Sequence, residues 1–323
     1  MKNRRLLLGL LASTLVVAGA MPSLLSGRDA SAQTSGAPGP SGYDLSHMRA
    51  CPAEVASGHP GTADEAAQTP MNSSTMCRFT GQGTPDPFPA AAPSGPANPV
   101  SEPAVAVGAN CYPAGTCNYQ TGLLGGGNAY GTGSNLGIAV PGLTNGWAYK
   151  QWYSNWVGVQ NTNNPATANF IQIGWQWVNG QSDYVFVQQW LNGNNTYSNS
   201  FTQFNLGSGA VKSITVRVQT SGNNLYYPFI LWGGRWVNVA GYFNMGFSNS
   251  PYPSVIGEGT VKGGAPIPTL PTETNSGNIA IKAGTQTWVN WPWNASQYAP
   301  PYCLYSSSPW TSYNTWNEPS LHC

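Results

Sequence analysis

The chain has 323 residues, and only 7% of them are charged: 12 basic and 11 acidic side chains, with three histidines. So even and sparse a balance excludes a nucleic-acid partner, which needs a clustered basic surface. It also excludes a fold that leans on ion pairs, so acidification removes little that holds the structure together.

Lys2, Arg4 and Arg5 precede an apolar stretch from Leu6 to Ala20, and Ala30-Ser31-Ala32 follows as a small-residue processing site. Residues 1–32 therefore read as an export signal. A membrane anchor is the competing reading, and the shortness of the apolar run speaks against it. Without this leader, which holds four basic groups and Asp29, the mature chain keeps eight basic against ten acidic side chains. No second long apolar run occurs, so the expectation is a soluble secreted protein with no stable membrane insertion once the signal is removed.

Six cysteines (Cys51, Cys77, Cys111, Cys117, Cys303 and Cys323) fit an oxidising compartment. Sequence order suggests Cys51–Cys77, Cys111–Cys117 and Cys303–Cys323 among the possible pairings. The rival reading is a zinc site, but the cysteine spacings do not suit one and His47, His59 and His322 stand near the ends of the chain. No metal is expected.

Residues 33–104 are rich in Pro, Ala, Gly and Ser, and read as a pro-segment, a leader or a linker. From about residue 105 the texture changes to short runs of β-branched and aromatic residues at period two, separated by Asn/Gly turns. Phe170 to Val178 and Tyr184 to Trp190 are two such runs. Val211 to Gln219 alternates most regularly, and Tyr226 to Leu231, Arg235 to Phe243 and Ser254 to Val261 follow. Asn192-Gly193 and Gly222-Asn223 are natural hairpin turns. No window carries a long helical stripe. The pattern predicts an all-β antiparallel sandwich, jelly-roll-like, over residues 105–264. Residues 265–323 read as an extension with its own strands and a cysteine staple.

Chemistry has few places to live. From Ala104 to the end only Asp183, Glu258, Glu273 and Glu318 carry carboxylates. The body holds no histidine for a Ser–His–Asp or Cys–His arrangement, and no Gly-x-Ser-x-Gly elbow or dinucleotide fingerprint. A glycosidase needs two carboxyl groups facing one bond, and only Asp183 and Glu258 fall within the strand-rich body, Asp183 in the turn-like Asn179 to Asp183. The remaining arrangement is Glu258 with an amide. A buried glutamate has a raised pKa, can activate a water and can return the proton to a leaving amine. Gln172 alternates with Ile171 and Ile173, so it points away from the apolar face and could position the water and the oxyanion. The bland alternatives are a surface glutamate in a Gly-flanked turn and a solvent-facing glutamine. Asp183 is the reserve carboxylate. Trp175, Trp177, Tyr184, Trp190, Trp232 and Trp236 are candidates for the walls of a groove holding peptide or proline rings, or equally sugar rings.

Asn155-Trp156-Val157-Gly158-Val159, Phe170 to Trp177, Tyr184 to Trp190, Val239 to Phe243 and Val255 to Val261 together resemble, in order, the neprosin-like family of glutamic peptidases. That resemblance implies a β-sandwich, an amino-terminal pro-segment, no cofactor, and catalytic positions at Gln172 and Glu258. Gln172 stands where that family has glutamate. A Gln/Glu pair is instead reminiscent of the fungal eqolisins, whose apolar-Gln-x-Gly segment resembles Phe170 to Gly174. The implied activity is a secreted, acid-acting endopeptidase with a polypeptide substrate. The alternative is a non-catalytic sandwich that binds carbohydrate or protein.

Overall fold

The computed structural model describes residues 48–86, 105–106, 110–111, 115–138, 141–181, 183–206, 213–270, 274–284, 287–292, 296–298, 302–306 and 313–316. All of these lie within the compact unit Ser41–Cys323. The expected export signal and most of the Pro/Ala run before residue 105 fall outside the described residues, as does Cys323.

The described residues are almost entirely strand. In chain order they form α1 (Ala53–Ala56), α2 (Ala63–Gln68), β1 (Met76–Arg78), β2 (Thr84–Pro85), β3 (Val105–Ala106), β4 (Asn110–Cys111), β5 (Thr116–Leu124), β6 (Gly131–Gly137), β7 (Gln151–Gln160), β8 (Phe170–Val178), β9 (Tyr184–Leu191) and β10 (Asn194–Phe201). They continue as β11 (Ser213–Thr220), β12 (Leu225–Trp232), β13 (Arg235–Asn238), β14 (Phe243–Asn244), β15 (Tyr252–Lys262), β16 (Thr274–Lys282), β17 (Trp288–Asn290), β18 (Ser296–Tyr298), β19 (Cys303–Ser306) and β20 (Tyr313–Trp316). Two sheets result. The first runs β2-β10-β9-β8-β7-β15-β5-β18-β3, with β4 on β5. The second runs β1-β13-β12-β11-β6-β16-β20-β19, with β14 on β12 and β17 on β16. The long neighbouring strands pair antiparallel, and the predicted all-β sandwich is what the chain forms.

The two hairpin turns work as the sequence indicates. Asn192 (φ 52°) and Gly193 (φ 73°) both take the left-handed conformation that a two-residue turn between β9 and β10 requires. Gly222 (φ 100°) and Asn224 (φ 62°) turn β11 into β12.

Alternation decides what is buried where. Val157, Ile171, Ile173, Val187 and Val255 of the first sheet meet Ile214, Val216, Val218, Ile230 and Val237 of the second in one core. A strand side chain one residue out of phase with these lies on an outer face. The outer face of the second sheet is covered in part by residues 48–78: Met48, Ala66 and Met76 pack on Tyr227, Phe229, Leu231 and Trp236. A Thr62/Glu65 capping box starts α2, and a Cys51–Cys77 disulfide ties the arm together. That is one of the expected pairings. Cys117 is also disulfide-bonded, and the backbone register sets Cys111 opposite it.

Two expected boundaries look different in three dimensions. The segment before residue 105 contributes β1 to the second sheet and β2 to the first. The segment after residue 264 contributes β16, which pairs with β6 inside the second sheet and sends Ile279 and Ile281 into the core. Proline-rich composition concealed β1 and β2, because strands of two or three residues leave little periodicity to read. β16, nine residues long, is among the strands expected in the extension, and what the sequence does not give is its place inside the second sheet.

Candidate active site

Glu258 lies in the middle of β15, the longest strand, with no exposed surface. Three neutral side chains donate to it. Trp156 Nε1 donates to its Oε2 at 3.1 Å, Gln120 Nε2 to the same oxygen at 3.4 Å, and Thr260 Oγ1 to Oε1 at 3.2 Å. Thr260 is two residues along the same strand and so shares its face. Trp156 and Gln120 come from the strands on either side.

The register fixes what stands level with it. Glu258 pairs with Gln120 on β5 and Ser154 on β7. Ser154 pairs with Gln176 on β8, and Gln176 with Tyr184 on β9. This row therefore carries an amide, a carboxylate, a hydroxyl, an amide and a phenol on one face. Ser154 Oγ is buried without a hydrogen-bond partner among the described residues.

Gln172 projects from the same face but belongs to another row. It pairs with Gly158 on β7 and Gln188 on β9, and Gly158 pairs with Ser254 on β15. It has no exposed surface, so it is not a solvent-facing strand glutamine. Its Nε2 donates to Gln188 Oε1 at 2.7 Å, and its own Oε1 lacks a partner among the described residues. Four residues along β8 separate it from the level of Glu258, about 13 Å of strand rise, on top of two strand spacings of about 4.8 Å. The two side chains expected to meet share a face and do not come together.

A second carboxylate does reach this face, from outside the strand-rich body. Asp86 follows β2, and its backbone N–H donates to Ser198 O at 2.8 Å. Its Oδ1 accepts from Tyr184 Oη at 3.2 Å and its Oδ2 from Gln188 Nε2 at 3.1 Å. Gln176 Nε2 donates to Tyr184 Oη at 3.0 Å. Asp86 thus ties the rows of Gln172 and Gln176 together at β9. Burial, then the Asp86 charge and hydrogen bond, push the Tyr184 phenol far above its ordinary range. Nothing local in the sequence marks Asp86; it comes 98 residues before the tyrosine that it holds.

The aromatic residues expected to wall a groove divide between faces. Tyr184 and Trp190 stand on the Glu258 face. Trp175 is in the core between the sheets, donating Nε1–H to Gly137 O at 2.9 Å, and Trp177 packs half-buried against that core. Both are one residue out of phase with Gln172 and Gln176. Trp232 fills the same core against Phe204, and Trp236 packs beneath residues 48–78 on the outside of the second sheet. In their place the face carries Trp152, Trp156, Phe170 and Phe186. Phe170 bridges Trp156 and Trp190, with ring centres 5.3 Å and 5.6 Å away. Gly158 makes room for that ring: a Cβ there would stand 2.5 Å from Phe170 Cε2.

Asp183 lies between β8 and β9, one residue before Tyr184, and is not brought to Glu258. It is buried, its Oδ2 has no partner among the described residues, and burial raises its pKa against the lowering effect of its own backbone hydrogen bond. No cluster of metal-ligating side chains occurs among the described residues.

No protein family's profile matches the sequence, and no curated protein matches it. Solved structures do resemble the fold. Scytalido-glutamic peptidase with a peptide-based transition-state analogue is similar at TM-score 0.43 and 12% identity, over 62% of this chain and 98% of that one. SCP-B, an eqolisin peptidase bound to a tripeptide, is similar at TM-score 0.35 and 10% identity, over 62% of this chain and 98% of that one. A Bacillus licheniformis β-glucanase is similar at TM-score 0.28 and 10% identity, over 74% of this chain and 96% of that one. Likeness at this level carries no activity across.

Proposed function

We propose that the protein is a secreted, acid-acting endopeptidase of the glutamic type, with Glu258 as its general base and acid. The observation that carries this reading is the row Glu258–Ser154–Gln176. It holds a buried carboxylate, with neutral groups as its hydrogen-bond donors, in line with an amide two strands away and with an unpartnered hydroxyl between them. Two strand spacings are about 10 Å, a gap that a glutamate, a glutamine and one bridging water or peptide carbonyl span. Glu258 would take the proton of the water and later give it to the leaving amine. Gln176 would orient the oxyanion in this row, and Gln172, two rows further on, would line the substrate-binding face beyond Gly158. Trp156 and the aromatic residues beside it would seat an extended, proline-containing peptide.

Glu258 has no surface in this form of the chain, so substrate reaches it only after the face is uncovered. A pro-segment that is displaced or cut before activity begins fits that requirement.

A second reading is a non-catalytic, ligand-binding sandwich. The fact favouring it is that Glu258 accepts three hydrogen bonds and Gln172 is bonded to Gln188 rather than aimed at Glu258. Incubating the purified chain at pH 3 to 5 with a reduced, alkylated protein separates the two. The peptidase cleaves and Glu258→Gln does not. Equal cleavage by both proteins, or none by either after acid incubation, sinks the peptidase reading.

A further inference from the structure

The outer face of the second sheet holds a cluster that the Glu258 site does not use. Arg217, on β11, is half-buried, and its Cζ lies 4.2 Å from the ring centre of Trp236 and 4.4 Å from that of Trp288. Gly133 sits opposite it on β6. A Cβ at Gly133 would stand 2.7 Å from Arg217 Cγ and 3.3 Å from Trp288 Cζ3, so the glycine is what lets the arginine and the indole lie together over the strand. Lys282, on β16, is paired with Trp288 and buried, and its Nζ donates to Thr220 O at 3.0 Å. Gln219, buried, is two residues along β11 from Arg217 and so on the same face.

The two cations feel each other. Burial lowers the Arg217 pKa to about 10, and burial with the Arg217 charge lowers that of Lys282 to about 8. Among the described residues Arg217 meets the two indoles and Lys282 the Thr220 carbonyl, all of them neutral partners. Withdrawing two like charges from water and placing them side by side is unfavourable unless an anion joins them. The guanidinium lies over both indole rings, where cation–π attraction acts. That attraction uses none of its N–H donors, whose planar fork matches two oxygens of one acid group.

The geometry points to an oxyanion-binding site on the outer face of the second sheet. Arg217 supplies a fork of two N–H donors, and Lys282 a further charge-assisted bond, to a carboxylate or a phosphate. The site stands apart from the Glu258 face, and the inference does not depend on the peptidase reading.

The test uses the full chain at pH 7. Thermal unfolding and tryptophan emission are followed in sodium chloride, sodium phosphate and sodium succinate at equal ionic strength. Phosphate or succinate raises the midpoint over chloride by about 3 °C at ten times its dissociation constant and changes the emission; the effective salt identifies the source of the oxyanion. Lys282→Met, which keeps the stem of the side chain, loses the shift. Arg217→Lys, which keeps the charge without the fork, loses most of it. Equal midpoints in all three salts overturn the site, as does a shift of the same size in both variants.

Discussion

Gln172 and Glu258 project from one face of one sheet but four residues out of step: Gln172 is level with Gly158 and Ser254, and Glu258 with Ser154 and Gln176. The step matters because a sheet delivers side chains to a common point along a row, not along a diagonal of several residues.

If Glu258 is catalytic, the row predicts which amide serves it. Gln176→Ala should lower kcat by about 100-fold or more, the usual scale for losing a preorganised oxyanion donor. Gln172→Ala should act mainly on KM, by shortening the binding face. Steady-state kinetics on one peptide at pH 4 decides the matter. The reverse ranking would return the role to Gln172 and require the strands to shift when substrate binds.

Asp86 should hold the same face shut against β9. Its carboxylate accepts from Tyr184 and Gln188 at a buried site, and hydrogen bonds to a charged group contribute about 1.5–3 kcal/mol each when buried. Asp86→Asn keeps the shape but sets an N–H₂ group against one of the two donors. It should cost about 1–3 kcal/mol in urea unfolding at pH 7. A variant as stable as the wild-type chain would mean that Asp86 only rests on the sheet.

Much of this architecture is legible in the sequence, and the reasons differ by element. Period-two alternation gives β8, β9, β11, β12, β13 and β15, and Asn192-Gly193 gives a turn, because each depends on neighbours along the chain. Alternation also places Gln172 on the face away from Ile171 and Ile173, where it is found. It could equally have paired Gln176 with Gln172 and separated both from Trp175 and Trp177. Register between strands is not local, so the row holding Glu258, Ser154 and Gln176 could not be read in advance. Asp86 was hidden for a related reason: it lies in a proline-rich stretch whose composition resembles a linker, and only pairing of two residues of β2 with β10 brings it to the face.

Asp183 should be a stability liability at neutral pH. Burial raises its folded pKa above the ordinary 3.8, so the folded chain holds the proton more tightly than the unfolded chain. Its contribution is most favourable below pH 3.8 and is lost as pH rises through the folded value. Asp183→Asn keeps the shape without the charge and should raise the unfolding midpoint at pH 7. The gain should shrink to nothing by about pH 3, below the ordinary aspartate range. A gain that is the same at both pH values would assign the effect to packing instead.

Alkali should unfold this protein through its tyrosines. Burial pushes the phenols of Tyr184, Tyr226 and Tyr302 well above the ordinary 10.0, helped at Tyr184 by the Asp86 charge and at Tyr302 by neighbouring tyrosines and Glu258. Below pH 10 these phenols are neutral in both states and favour neither. Above it the unfolded chain releases three protons that the folded chain keeps, so stability falls steadily with pH. Phenolate absorbance at 295 nm should therefore rise in two stages: exposed tyrosines first, then the buried group together with the loss of far-UV β-sheet signal. Tyr226→Phe should delay the second stage, since its hydroxyl has no hydrogen-bond partner among the described residues and its removal breaks nothing. Full tyrosine ionisation by pH 11 with the sheet signal intact would show that water reaches these phenols in the folded protein.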